Sequence, residues 1–194
     1  EFGYWQLFLF YSGYVGFFHF GLNDGIYLRF GGQEYHDLDH AALGTQLWLS
    51  VIVQTIIAGV IALVGIVLSH DQGRTVVFIT TAVSLVIINA SNYLGIIFQM
   101  SNITKWYSIS VMIDKAFFIV FVAAMLLLRT RHFEPFVYGY LASKFIGLLY
   151  CVVKGKAVVF SKLTSLRLGL YELTDNISVG IHLMLSNIAS MLIV

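Results

Sequence analysis

Residues 44–68 contain no charged side chain and are apolar at most positions. No other feature of the chain restricts its fold as strongly. As an α-helix this run is about 37 Å long, and the hydrocarbon core of a bilayer is about 30 Å thick. A membrane β-strand needs about 10 residues of alternating polarity. Residues 51–66 show no such alternation, so a membrane-spanning helix is the expectation.

Other apolar lengths follow the same rule. Spans are expected at about 4–21, 75–98, 107–128 and 136–153, and a further one begins near Ile177 and is still apolar at Val194. The predicted fold is an all-α, polytopic transmembrane helical bundle of about six spans. Pro135, the one proline, stands at the start of the fifth span, where its missing N–H costs little. Only 11% of residues are charged, against about 25% in soluble domains. The outward helix faces must therefore be apolar, which only lipid tolerates over such an area. The net charge of +1 offers no basis for nucleic-acid binding, and the single Cys151 excludes an internal disulfide or a multi-cysteine metal site. No phosphate-cradling loop, His-Glu-x-x-His helix or Gly-x-Ser-x-Gly elbow occurs. The expectation is a non-enzyme with no catalytic residue, no metal site and no cofactor. The chain begins at Glu1 without methionine and stops inside the apolar run 188–194, and a piece of a longer protein is expected.

The connections carry the orientation signal. Alternation of spans puts 23–42, 99–106 and 154–176 on one side, with Arg29, Lys105, Lys154, Lys156, Lys162 and Arg167. The other side has 69–74 and 129–134, with Arg74, Arg129 and Arg131. Lysine and arginine excess marks the cytoplasmic side. In the last connection Leu163, Leu166, Leu170 and Leu173 form a stripe, as in a helix lying in the membrane interface.

Polar residues recur on single faces within the spans: Ser12, Gly16, His19 and Asn23; Gln46, Ser50, Gln54, Ala58 and Gly65; Thr81, Ser84, Asn92, Gly95 and Gln99; Tyr140, Lys144, Gly147 and Cys151; Asn176, Gly180, Asn187 and Ser190. Two readings fit, helix–helix adhesion through small and hydrogen-bonding residues, or the lining of a shared hydrated cavity. Lys144 is the sharpest signal, because a lysine about halfway into a span must pair or face water. Gly147 and Cys151 on its face leave room for a bulky headgroup. Asp114 and Lys115 point about 100° apart, so they are expected to pair with other helices or serve transport. His19 is either a titrating group or a satisfied histidine near a helix end. Asp24 and Arg29 flank Gly25 and suit an interfacial salt bridge or headgroup contact. Asn92, Gln54 and Asn187 complete the candidates for a substrate cavity.

The segments Glu1-Phe2-Gly3-Tyr4-Trp5 and Gly21-Leu22-Asn23-Asp24-Gly25-Ile26-Tyr27-Leu28-Arg29-Phe30-Gly31-Gly32, with the closing run Gly180-Ile181-His182-Leu183-Met184-Leu185-Ser186-Asn187-Ile188-Ala189-Ser190-Met191-Leu192, resemble bacterial polysaccharide biosynthesis proteins. These are the oligosaccharide flippases of the multidrug/oligosaccharidyl-lipid/polysaccharide exporter superfamily. The resemblance implies a MATE-like N-terminal lobe at 1–153 lacking its first helix, a cytoplasmic amphipathic inter-lobe link at 154–176, and the start of a second lobe at 177–194. It also implies a bacterial cytoplasmic-membrane protein that flips undecaprenyl-diphosphate-linked oligosaccharide by alternating access for lipopolysaccharide and O-antigen assembly. Some such proteins couple transport to a proton or sodium ion. Cavities in the family tend to be cationic, which makes Lys144 and Lys115 the diphosphate candidates. Three alternatives stay open. One is a multidrug or lipid II exporter on the same fold. Another is a membrane-embedded polysaccharide-assembly enzyme, for which loops 69–74 and 129–134 are short. The last is a scaffold, which would not need Lys144 to face water.

Overall fold

The computed structural model describes residues 1–69 and 71–193. His70, within the expected turn 69–74, and Val194, the end of the last expected span, lie outside the described residues. The described chain is built of helices: α1 Phe2–Tyr14, a 3-10 helix Val15–His19, α2 Leu22–Phe30, α3 His40–Leu68, α4 Gln72–Met100, α5 Thr104–Leu127, α6 Glu134–Lys154, α7 Lys156–Val159 and α8 Leu166–Ile193. Four of them, α3 to α6, are long and apolar enough to cross a membrane.

Local chemistry sets the ends of these helices. Asp39 caps α3 by accepting from the N–H groups of Ala41 and Ala42, both at 3.0 Å. Asp71 caps α4 through the N–H groups of Gly73 and Arg74, satisfying donors that a helix start leaves unpaired. Beyond α5 the chain reverses through Arg129 at φ 54°, and Pro135 sits in the first turn of α6.

α3 shows why the assembly needs lipid. Its buried face is Gln46, Ser50, Gln54, Ala58 and Gly65, the polar and small stripe read from the sequence. Its outward face carries Ile52, Ile56, Val60, Leu63 and Val67, all exposed. Polar inside and apolar outside is the reverse of a soluble helix and fits a helix whose outer face meets lipid. α4 is the central helix, with α1, α2, α3, α5 and α6 all packed on it.

One expected span and one expected connection take other forms. The stretch 4–21 is not one helix: α1 gives way to the 3-10 helix, which ends at two left-handed residues, Phe20 (φ 53°) and Gly21 (φ 86°). The stretch 154–176, expected as an amphipathic link, contains α7 and the start of α8. Its residues from Leu166 onward belong to α8, which continues through the expected last span. No proline interrupts that stretch, so the interfacial stripe and the apolar run propagate as a single helix of about 42 Å. Neither α1 nor α8 is among the helices that meet the length and hydropathy requirement for crossing a membrane.

The connections assigned to one side do gather at one end. The N–H of Gly32 donates to the carbonyl of Met100 at 3.0 Å. Trp48 Nε1 donates to the carbonyl of Val159 at 3.0 Å. Lys154 Nζ lies 5.6 Å from the Trp106 ring centroid. At the other end, Tyr4 Oη donates to Asp71 Oδ2 at 2.7 Å, and the N–H of Phe133 donates to Glu1 Oε2 at 3.1 Å.

Candidate functional site

α5 and α6 form an antiparallel pair, and the middle of their contact is charged. Asp114 lies ten residues into α5 and Lys144 ten residues into α6, each about 15 Å from its helix start. Lys144 Nζ donates to Asp114 Oδ2 at 2.6 Å. The side chains keep 22% and 8% of their exposure, so the pair is largely out of solvent. The ammonium also stands 5.2 Å from the Tyr140 ring centroid, a cation–π distance.

The pair borders a cavity of ≈ 60 Å³ whose other polar walls are Ser91, Asn92, Tyr107 and Ser110. Tyr107 Oη donates to Asn92 Oδ1 at 3.4 Å. The volume suits a few waters rather than a glycan. Gly147 does not open space here as expected. A Cβ on it would stand 3.3 Å from the Ser110 carbonyl oxygen and 3.4 Å from Asp114 Cβ. Gly147 therefore lets α6 approach α5 closely, which brings Lys144 within reach of Asp114. Cys151 is fully buried, and its Sγ lies 4.0 Å from Ser91 Oγ, so it too packs rather than opening room.

A second polar cluster joins α2, α3 and α8. Arg29 Nη1 stands 2.8 Å from Asp175 Oδ2 and donates to Asn176 Oδ1 at 2.8 Å. Asn176 Nδ2 donates to Gln46 Oε1 at 2.6 Å, and Gln46 Nε2 donates to Glu172 Oε2 at 3.2 Å. Gln46 and Asn176 are both fully buried. The backbones meet closely because Gly21, Gly25 and Gly180 stand at the crossing. A Cβ on Gly25 would overlap the Asn176 carbonyl, and one on Gly180 would overlap the Gly21 carbonyl. The segment that carried the family resemblance thus has a packing role, a small-xxx-small contact. Asp24 and Arg29, expected in an interfacial salt bridge or headgroup contact, take separate partners, Arg29 with Asp175 and Asp24 with His19 at 3.8 Å. His19 Nδ1 accepts from the Gly21 N–H at 3.0 Å, which places a neutral ring's proton on Nε2, facing Asp24. Burial pushes the Asp24 carboxyl above its ordinary value, and the nearby imidazole partly offsets this.

Among the candidate cavity residues, the structure brings together Asp114, Lys144 and Asn92. The others lie elsewhere. Lys115 is on the exposed face of α5, as expected for a residue about 100° from Asp114. Gln54 is buried against α3's own Ser50, with Nε2 donating to Ser50 Oγ at 2.9 Å. His19 belongs to the α2 end. Asn187 is exposed on α8, with Nδ2 3.5 Å from Asp24 Oδ1. Tyr107 and Ser110 were missed, although with Asp114 they recur at helical steps that a search from the aspartate would have found. Glu172 and Asp175 were missed because a charge near a helix end reads as solvated.

No family model, no curated protein and no solved structure matches the chain.

Proposed function

We propose that the chain is part of a membrane transporter of the flippase type. In this reading it carries undecaprenyl-diphosphate-linked oligosaccharide across the bacterial cytoplasmic membrane for surface polysaccharide. The observation that carries the reading is the Asp114–Lys144 pair beside a polar cavity at mid-depth of two membrane-crossing helices. Charged side chains at that depth are costly and mark substrate or ion paths. Pairing lowers the cost of holding Lys144 there, and a diphosphate would take the ammonium from Asp114 as a substrate headgroup enters. The cavity is far smaller than such a headgroup, so α5 and α6 must part during transport, as alternating access requires. Asp114, once released, is the carboxylate on which a coupling proton or sodium ion would act.

The same reading completes six spans of a MATE-like lobe. α1 with its 3-10 continuation reaches about 30 Å, and α8 from Ile177 onward, about 25 Å of helix, forms the start of the last span. The end with Arg29, Lys105, Lys154 and Lys162 is cytoplasmic by the lysine and arginine rule.

Complementation of a strain lacking its flippase tests the proposal, scored by surface polysaccharide and by protein level in the membrane. Lys144→Ala should abolish export even after normalisation to its protein level in the membrane, and Lys144→Arg should retain part of it, since charge survives but shape does not. Normal export by Lys144→Ala would reduce the pair to a structural contact and remove the basis of the reading.

A further inference from the structure

The end of the molecule opposite the cationic connections carries a cluster with different chemistry. Glu1 precedes α1, and His132 and Glu134 flank Phe133 where the chain enters α6. One ligand atom from each of the three lies within 4.8 Å of the other two. These residues come from opposite parts of the sequence, and specific contacts hold them in place. The Phe133 N–H fixes Glu1 through Oε2. Phe133 is 4% exposed, and its ring packs 5.1 Å from that of Tyr4. The backbone bearing His132 and Glu134 is thereby anchored to α1. Glu134 lies in the first turn of α6, where the helix N-terminus favours a carboxylate.

The donors are gathered without satisfying one another. Among the described residues, no lysine, arginine or histidine nitrogen comes within 4.0 Å of either Glu1 or Glu134. Two carboxylate oxygens therefore stand within 4.8 Å of each other and of an imidazole nitrogen, with no cationic partner in contact.

The geometry points to a divalent transition-metal site formed by Glu1, His132 and Glu134, with Zn²⁺ the ion that the donors suit best. One imidazole and two carboxylate oxygens are a ligand set that zinc accepts, and three protein ligands leave a fourth position for water. Donors of a tetrahedral zinc site stand about 3.3 Å apart. Closing from within 4.8 Å requires shifts of about 1 Å, which the torsions of the exposed Glu1 and His132 side chains supply. The bound ion ties the start of α1 to the α5–α6 connection. This site is independent of the transport reading.

Zinc titration of the purified, chelator-treated chain in detergent, followed by calorimetry, tests it. The expected result is saturable binding of one Zn²⁺ per chain and a zinc-dependent rise in thermal midpoint. His132→Ala and Glu134→Gln should each weaken binding about tenfold or more, with the midpoint of His132→Ala unchanged in the absence of metal. His36→Ala, which removes an exposed imidazole between Glu34 and Asp37, should bind as the parent does. Co²⁺ in place of Zn²⁺ should give visible d–d absorption that His132→Ala removes. The site is overturned by lack of saturable binding, by equal binding in the parent and His132→Ala, or by loss of binding in His36→Ala.

Discussion

Truncating Lys144 should destabilise the protein far more than truncating a surface lysine, and the loss should be largely reversed by neutralising Asp114. In the parent, Lys144 Nζ and Asp114 Oδ2 are 2.6 Å apart, and the carboxylate side chain keeps only 8% of its exposure. Lys144→Ala leaves that carboxylate uncompensated in the middle of the α5–α6 contact. Breaking a buried pair from one side costs about 3–5 kcal/mol. Lys144 retains 22% of its exposure, so part of the pair's attraction is already screened, and about 2–3 kcal/mol is the expected loss. Asp114→Asn should cost about 1–2 kcal/mol, because the freed ammonium keeps its contact with the Tyr140 ring. The double variant Asp114→Asn/Lys144→Ala holds no stranded charge and should lie within about 1–2 kcal/mol of the parent. The cycle then closes with a coupling of about 2–3 kcal/mol. Unfolding by SDS in mixed micelles measures all four proteins. Additive losses, or a Lys144→Ala loss below about 0.5 kcal/mol, would show that the pair is hydrated and would refute the argument from burial.

Three further outcomes follow from the packing and the caps. Gly25→Ala should lose more than about 2 kcal/mol in the same unfolding assay, because the added methyl overlaps the Asn176 carbonyl rather than a flexible side chain; Gly3→Ala, with nothing within 4 Å of its Cβ, is the control and should be near neutral. Asp71 should make the parent acid-sensitive. The Tyr4 hydroxyl, with the N–H groups of Gly73 and Arg74, holds its carboxyl below the ordinary value. Its contribution is present above the ordinary carboxylate range and fades as pH falls through the depressed value, so Asp71→Asn should flatten the fall in thermal midpoint between about pH 5 and pH 2, and equal slopes would contradict this. An impermeant thiol reagent applied to intact cells should label Gln72→Cys and spare Phe160→Cys, both exposed at opposite ends; labelling of position 160 from outside would invert the orientation.

The membrane character of this protein was legible without coordinates. Charge-free apolar lengths demand lipid, and the stripe Gln46, Ser50, Gln54, Ala58 and Gly65 already marked the inward face of α3. The divergence of Asp114 and Lys115, one buried and one exposed, follows from 100° per residue alone. Partners were not legible. The sequence asked that Lys144 be paired or wet, and only the packing of α6 on α5 across Gly147 supplied Asp114. The link expected at 154–176 runs from Leu166 onward as the start of α8, and its Glu172, Asp175 and Asn176 found Gln46 and Arg29. Glu1 met His132 and Glu134 across about two thirds of the sequence. Helical periodicity fixes which face of a segment is polar, because it depends only on neighbours along one helix. Which residue stands opposite depends on crossing points set by glycines and bulky side chains on two helices at once, and that is decided only when the bundle packs.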